Sequence, residues 1–318
     1  MNGLVRKLIF NFLLKMGLFQ IIPFFFIYSI VILLFFTIFY KKKDMQLVHS
    51  FSAKGCNTEN LFYHCITFVL SCLYAKQNGF KINLHCDKLT NKYFSVAPYD
   101  NIYVDLEELE KPHNRIYAHS KFNVMEKYPL GTIHIDGDVI LMYPILKELL
   151  KFDDYDVIVQ CKETKENWDG AGLYELSTEA LKNCEYPEWA PRECDSMYNC
   201  GVVGINNENL KREYFDTYYL MLERFKKDGI DMHSVPDIII EQKFLMDLCN
   251  KRGYKVKFLL DEQRLREHSN EIGYQHLIGT SKGRLHKQCL KIIHKLNKDV
   301  YMDLKYRWSG MFPDSFEF

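Results

Sequence analysis

The chain lacks the marks of several protein classes. Its ten cysteines include no Cys-x-x-Cys pair and no regular spacing, which argues against a zinc module or a disulfide framework. Cys56, Cys65 and Cys72 fall along one helical pattern with His64, and packing as small apolar residues outweighs a structural metal there. A reducing compartment suits so many free thiols. Charge of one sign is missing too. Lys plus Arg and Asp plus Glu each number 41 in 318 residues, so no global field points to nucleic acid, and an anionic ligand must be held locally. Internal repeats and low-complexity tracts are absent. The apolar N-terminal run has no small-residue cleavage site of the signal-peptide type.

What is present divides sharply. Leu8 to Phe39 is strongly apolar, and Ile21 to Tyr40 is long enough to span a bilayer as a helix. Lys41-Lys42-Lys43 follow at once, while Arg6, Lys7 and Lys15 flank the other side, a weak preference for a cytoplasmic C-terminal domain. Residues 1–44 therefore read as a hydrophobic N-terminal helix, either a membrane anchor touching the bilayer through residues 9–40 or an upstream extension. With an anchor, the expectation is a membrane-associated protein whose C-terminal working domain is cytoplasmic; otherwise the protein is cytoplasmic. Residues 45–318 form the working domain, roughly 270 residues and enough for one large α/β unit.

From Gln46 onward, strand and helix patterns alternate. Gln46 to Phe51 predicts a strand; Asn57 or Thr58 caps a long apolar helix that Gly79 ends; Lys81 to Cys86 and Asn101 to Leu106 are further strands. Ile116 to Tyr128 predicts a helix, Gly131 to Ile135 and Tyr155 to Gln160 strands, and Tyr198 to Ile205 another strand. Asn209 to Lys227 and Asp237 to Arg252 read as amphipathic helices, Lys255 to Leu260 as a late strand, and Leu285 to Leu296 as a basic surface helix. Glu163 to Asp195, with Trp168 and Trp189, looks irregular and reads as an insertion or lid beside a site. Such alternation predicts a mostly parallel sheet with helices on both faces.

One stretch concentrates the chemistry. Thr132-Ile133-His134-Ile135-Asp136-Gly137-Asp138-Val139-Ile140 is an apolar run ending in two carboxylates one residue apart. Ligands of open α/β sheets collect at such strand ends, and paired aspartates give hard oxygen ligands suited to Mg2+ or Mn2+, with Gly137 allowing close approach of the backbone. Asp-Gly is also a plain turn signal. Three further motifs follow: Tyr198-Asn199-Cys200-Gly201-Val202-Val203-Gly204, Ile240-Glu241-Gln242, and His276-Leu277-Ile278-Gly279-Thr280-Ser281-Lys282.

In that order the motifs resemble those of the GT-A glycosyltransferases, most closely the glycogenin-like and galactosyltransferase-like group of the family 8 type. The resemblance covers roughly Met45 to Lys282 and rests on the ordered set rather than any one motif. It implies a Rossmann-like GT-A fold and metal-dependent transfer of a sugar, with retention, from a nucleoside-diphosphate sugar such as a UDP-sugar. The acceptor, a glycan, lipid or protein, stays open. By resemblance Asp136, Asp138 and His276 bind Mn2+ or Mg2+; Lys282 and Gly279 meet the diphosphate; Asn199 and Gly201 face the sugar; Glu241 and Gln242 point toward the reacting carbon; and Lys121 reaches the donor. The family's Pro-Trp after the late lysine is absent here, where Gly283-Arg284 stand.

Bland readings stand beside these. An isolated histidine is more often structural, a lysine usually solvated, and a charged pair on a helix usually exposed. Two other functions compete. A sugar nucleotidyltransferase would carry a Gly-x-Gly-Thr-Arg loop after the first strand, where Ser52-Ala53-Lys54-Gly55 stands instead. A non-catalytic, membrane-associated nucleotide-sugar-binding protein of the same fold would be favoured by loss of an aspartate, the histidine or the lysine, and all are present.

Overall fold

A computed structural model describes residues 45–107, 118–166, 172–183, 185–227, 238–279 and 281–317. The hydrophobic segment 1–44 lies outside these residues, as do Trp168 and Asp169-Gly170-Ala171. The chain divides between Asp44 and Met45. Among the described residues no helix is long and apolar enough to cross a membrane.

Strand β1 (Gln46–Phe51) leads to helix α1 (Thr58–Gln77). Asn57 caps that helix, its side chain accepting the Asn60 N–H at 2.8 Å, and Gly79 ends it at φ +74°. There follow β2 (Lys81–Cys86), α2 (Lys88–Phe94), β3 (Asn101–Val104) and α3 (Ala118–Lys127). Next come β4 (Ile133–Ile135), β5 (Val139–Leu141), the single turn α4 (Leu146–Leu149) and β6 (Val157–Thr164). The remainder is α5 (Leu173–Lys182), β7 (Ser196–Ile205), α6 (Glu208–Lys227), a π-helical turn (Ile238–Lys243), α7 (Phe244–Arg252), β8 (Val256–Phe258), α8 (Leu265–Ile272), β9 (Tyr274–His276), α9 (Ser281–Leu296) and α10 (Lys298–Trp308).

Seven strands form one sheet in the order β3-β2-β1-β4-β7-β6-β8. Its parallel pairs are β1 with β2 and β4, β2 with β3, and β6 with β8; β7 alone runs against its neighbours β4 and β6. The mostly parallel sheet expected from strand–helix alternation is therefore present. Leu47, Ile82, Leu84, Ile133 and Ile135 on the central strands are fully buried, as strands covered on both faces require. From β1 the chain winds outward through β2 and β3, then returns to place β4 on the other side of β1. The carboxyl ends of β1 and β4 thus flank a topological switch point, where open α/β sheets form crevices.

Several segments differ from expectation. The Glu163 to Asp195 region is not wholly irregular, since β6 runs on to Thr164 and α5 occupies its middle; Tyr174, Ser177 and Leu181, three and four residues apart, give that helix a buried side. The expected helix 237–252 begins as a π turn and becomes α-helical only at Phe244. The late strand shrinks to three residues. The basic helix is longer than expected and not simply superficial, because Cys289, Leu290 and Ile293 are buried and α9 packs on α1. Of the cysteines, Cys65 and Cys72 lie buried in α1 and Cys56 precedes it, the packing role expected of them.

Candidate functional site

The two carboxylates stand where β4 gives out. The Asp136 N–H donates to the Gly201 carbonyl of β7 at 2.8 Å, and the Val139 N–H closes a turn back onto the Asp136 carbonyl at 2.9 Å. Gly137 sits at the apex of this turn. A Cβ there would lie 1.9 Å from the Phe68 ring of α1, so the close approach that demands glycine is to that ring. Ser71, also on α1, donates to the Val139 carbonyl at 2.5 Å and lies 3.2 Å from His49 Nε2. The turn is thereby held from both sides.

A second, two-stranded sheet brings up the remaining groups. In β5 and β9, Val139 pairs with His276 and Leu141 with Tyr274, antiparallel, and the Leu277 N–H donates to the Asp138 carbonyl at 2.9 Å. His276 Nε2 then lies 3.3 Å from Asp138 Oδ1, and Lys282 Nζ, in the first turn of α9, lies 2.7 Å from Asp138 Oδ2. Burial works against charge on Asp138, yet His276 and Lys282 hold its carboxyl well below the usual range. Burial likewise opposes the charged form of His276, and Asp138 overcomes it, raising the imidazole above its ordinary value. One ligand atom from each of Asp136, Asp138 and His276 can be chosen so that all lie within 4.8 Å of one another. Two hard oxygens and one imidazole nitrogen so placed fit a Mg2+ or Mn2+ ion. Among the described residues this is the one such group of metal-ligating side chains.

Behind Asp136 lies a buried charge cluster. Lys121 of α3 is 6% exposed, with Nζ 2.8 Å from Asp136 Oδ1, 2.9 Å from the Cys200 carbonyl, and bonded to the Glu241 carboxylate of the π turn. Burial alone would lower the Lys121 pKa, but the two carboxylates hold it charged. Burial pushes the Glu241 carboxyl upward, and Lys121 works against that. The Tyr214 hydroxyl donates to the Glu241 carbonyl at 2.7 Å, fixing the irregular turn that aims this carboxylate. Such π turns recur at functional sites.

Asp136, Asp138, Lys121, Glu241, Gly279 and Lys282 all line one cavity of about 710 Å3, together with Ser50, Phe51 and Ser52 at the end of β1 and Glu59, Tyr63 and His64 of α1. Not every expected residue faces it. Gln242 is half-buried beside Glu241 and is not among the lining residues. Asn199 is 6% exposed, and its amide is engaged within the protein: it donates to Glu163 at 2.8 Å and accepts the Gly201 N–H at 2.9 Å. Gly201 backs the metal group. A Cβ there would fall 2.5 Å from Gln160 Oε1 and 2.6 Å from His276 Cε1.

Sequence reasoning missed Gln160. Its Oε1 accepts the Tyr274 hydroxyl at 2.6 Å and lies 2.9 Å from His276 Nδ1, which leaves Nε2 facing Asp138, the outer-shell arrangement that orients a metal-ligating histidine. A lone amide inside Val157-Ile158-Val159-Gln160-Cys161 was the available signal. His134 was missed as well. It is buried, with Nε2 2.8 Å from Ser50 Oγ and Nδ1 3.7 Å from Asp136 Oδ1, and burial keeps it neutral.

The chain is similar to several solved glycosyltransferase structures. Galactosyltransferase LgtC, in complex with donor and acceptor sugar analogs, is 9% identical over 61% of this chain and 69% of that one, with a TM-score of 0.37. Mouse xyloside xylosyltransferase 1 is 12% identical over 72% and 92%, at 0.39. Glycosyltransferase GlyE of Streptococcus pneumoniae TIGR4 is 13% identical over 67% and 45%, at 0.36. No curated protein matches the sequence significantly. Residues 40–317 match DUF6734, a family of unknown function, and the chain belongs to that family.

Proposed function

We propose that the protein is a glycosyltransferase that binds a nucleoside-diphosphate sugar, with UDP-sugars the favoured class, in the switch-point cavity and transfers the sugar with retention to a glycan, lipid or protein acceptor. The observation that carries this reading is the position of Asp138 between His276 and Lys282, with Asp136 beside it. Such a group offers oxygen and nitrogen ligands to a cation and, a few ångströms on, an ammonium to an anion, which is what a metal-bound diphosphate needs. The cavity, about 710 Å3, is within the roughly 300–1,000 Å3 usual for small-molecule sites.

In this reading Asp136, Asp138 and His276 hold Mn2+ or Mg2+, which when bound supplies Lewis-acid neutralisation of the diphosphate leaving group. Lys282 leaves its pairing with Asp138 for a phosphate oxygen, so that neither charge is stranded in the exchange. Gly279, exposed and left-handed at φ +60°, lets the backbone turn into α9 beside that phosphate. Lys121 and Glu241 present a fixed donor and acceptor to sugar hydroxyls from the opposite wall. Asn199 holds the Gly201 backbone on which both Asp136 and His276 lean, and Gln242 completes the acidic-Gln pair on the π turn.

Calorimetric titration with UDP, with and without Mn2+, tests the assignment on the parent and on Asp138→Asn. UDP should bind the parent in a metal-dependent way, and the variant should lose most of that binding because one hard ligand goes while the shape stays. Metal-independent UDP binding, undiminished in the variant, would sink the reading. A screen of nucleotide sugars for donor hydrolysis then identifies the sugar.

A further inference from the structure

Strands β6 and β7 pair antiparallel, but their register slips. Val159 faces Val203 and Cys161 faces Asn199, so that Gln160 alone stands opposite Cys200, Gly201 and Val202, a bulge in β7. Bulges recur beside active sites, where they interrupt regular pairing and re-aim groups. Asp136, Lys121 and His276 all rest on this one. The Gly201 carbonyl accepts the Asp136 N–H at 2.8 Å, and the Cys200 carbonyl accepts Lys121 Nζ at 2.9 Å. The space where Gly201 would carry a Cβ is filled by Gln160 Oε1 and the His276 ring. A shift of the bulge therefore moves all three side chains.

Backbone loosened from its ladder needs other partners. The Gly201 N–H finds one in Asn199 Oδ1 at 2.9 Å, two residues back along the strand, and this holds only while the oxygen end of the amide faces Gly201. Turned over, the amide would set a donor against a donor. Its nitrogen end is fixed from the other side, where Asn199 Nδ2 donates to Glu163 Oε1 at 2.8 Å. An ionised carboxylate accepts and never donates, so Glu163 admits one orientation of the amide and not the other.

Glu163 and Asn199 are both buried, and neither lines the cavity. Burial pushes the Glu163 carboxyl upward, while the Asn199 hydrogen bond and the charge of His276 act against it. The pair thus lies within electrostatic reach of the metal group without facing a ligand. We propose that Glu163 is a positioning residue for that group, acting through Asn199 to clamp the β7 bulge on which Asp136, Lys121 and His276 rest. The inference rests on the reading of Asp136, Asp138 and His276 as a metal site.

The test holds charge constant, because any carboxylate near the site attracts a cation. E163Q and E163M remove the same charge and fill similar volumes, but only the first retains an acceptor for Asn199. Mn2+ titration of the full chain, followed by paramagnetic resonance, should show E163M binding about tenfold or more weakly than E163Q, the low end of the effect of outer-shell partners on metal affinity. The inverted pair E163Q/N199D keeps the parental charge. Its new carboxylate accepts from both the Gly201 N–H and the new amide, so its Mn2+ affinity should stay close to that of the parent. Melting curves identify the folded variants, and should E163M fail to fold, the inverted pair decides by itself. Equal Mn2+ affinity of folded E163M and E163Q would make Glu163 a packing residue and overturn the proposal. So would a folded inverted pair that binds Mn2+ about tenfold more weakly than the parent. A parent chain that takes up no Mn2+ would instead refute the metal site itself, and this proposal with it.

Discussion

Replacing Gly201 by alanine should damage the proposed metal site while leaving Asp136, Asp138 and His276 themselves unchanged. A Cβ at this position would sit 2.5 Å from Gln160 Oε1, 2.6 Å from His276 Cε1 and 2.8 Å from His276 Nδ1, distances that side chains do not tolerate. Neither neighbour can swing away cheaply. Gln160 is 5% exposed and accepts the Tyr274 hydroxyl, and His276 belongs to β9, whose pairing with β5 fixes its backbone. Forcing a methyl into such a packed place costs about 1–3 kcal/mol. For a domain of this size that is a fall in Tm of about 2–4 °C per kcal/mol. Displacing the outer-shell partner of a ligating histidine should weaken Mn2+ binding about 10–100-fold. Gly253→Ala is the control: a Cβ there meets nothing within 4 Å, but φ is +70°, so it should lower stability through backbone strain of about 1–2 kcal/mol and leave Mn2+ affinity alone. Thermal melts and Mn2+ titration followed by paramagnetic resonance measure both quantities. A Gly201→Ala protein that binds Mn2+ like the parent refutes the claim that His276 is rigidly placed against Gly201.

Lys282→Ala should weaken metal-supported UDP binding by about 1.5–3 kcal/mol, the worth of one hydrogen bond to a charged group, yet bind Mn2+ alone at least as well, since Asp138 loses a competing partner; calorimetry showing parental UDP affinity would remove Lys282 from the phosphate site. Burial depresses the His49 pKa to about 3, so below pH 6.5 the unfolded chain takes up a proton that the folded chain refuses. That contribution to stability is full above pH 6.5 and falls as pH drops toward 3, by about 1.4 kcal/mol per pH unit; urea midpoints against pH should show this slope, and a His49→Gln variant a shallower one. A chain beginning at Met45 should fold, stay soluble and bind UDP as the full chain does, because every residue placed at the cavity lies beyond that point; an aggregated product would show that residues 1–44 complete the domain.

How far the site was legible depends on which residues one considers. Asp136 and Asp138 could be read from the sequence because an apolar run that stops at paired carboxylates signals a strand end, and strand ends in open sheets are where ligands gather. The alternation of strands and helices likewise exposed the parallel sheet, since its long buried strands carry strong patterns. The join between β5 and β9 left no such trace. Each strand is three residues long, too short for any periodicity, yet this pairing alone carries His276 and Lys282 to Asp138 across more than a hundred residues of chain. Their relation could be expected only from the order of motifs, never from spacing. The π turn at Ile238–Lys243 was hidden for a related reason: its apolar residues fit a helix of either pitch, and the groups that meet Glu241 there, the Tyr214 hydroxyl and Cys200 thiol on its carbonyl and Lys121 on its carboxylate, come from distant parts of the chain. Asn199 marks the opposite limit. Its type suggested sugar hydroxyls, but an asparagine two residues before a glycine can also satisfy a backbone N–H locally, and here it does so while taking Glu163 as its other partner. A side chain's chemistry is written in its type, whereas the partner that uses that chemistry is decided by which strands meet, and for Asn199 the strands β6 and β7 meet so as to turn its amide inward, behind the wall on which the metal group rests.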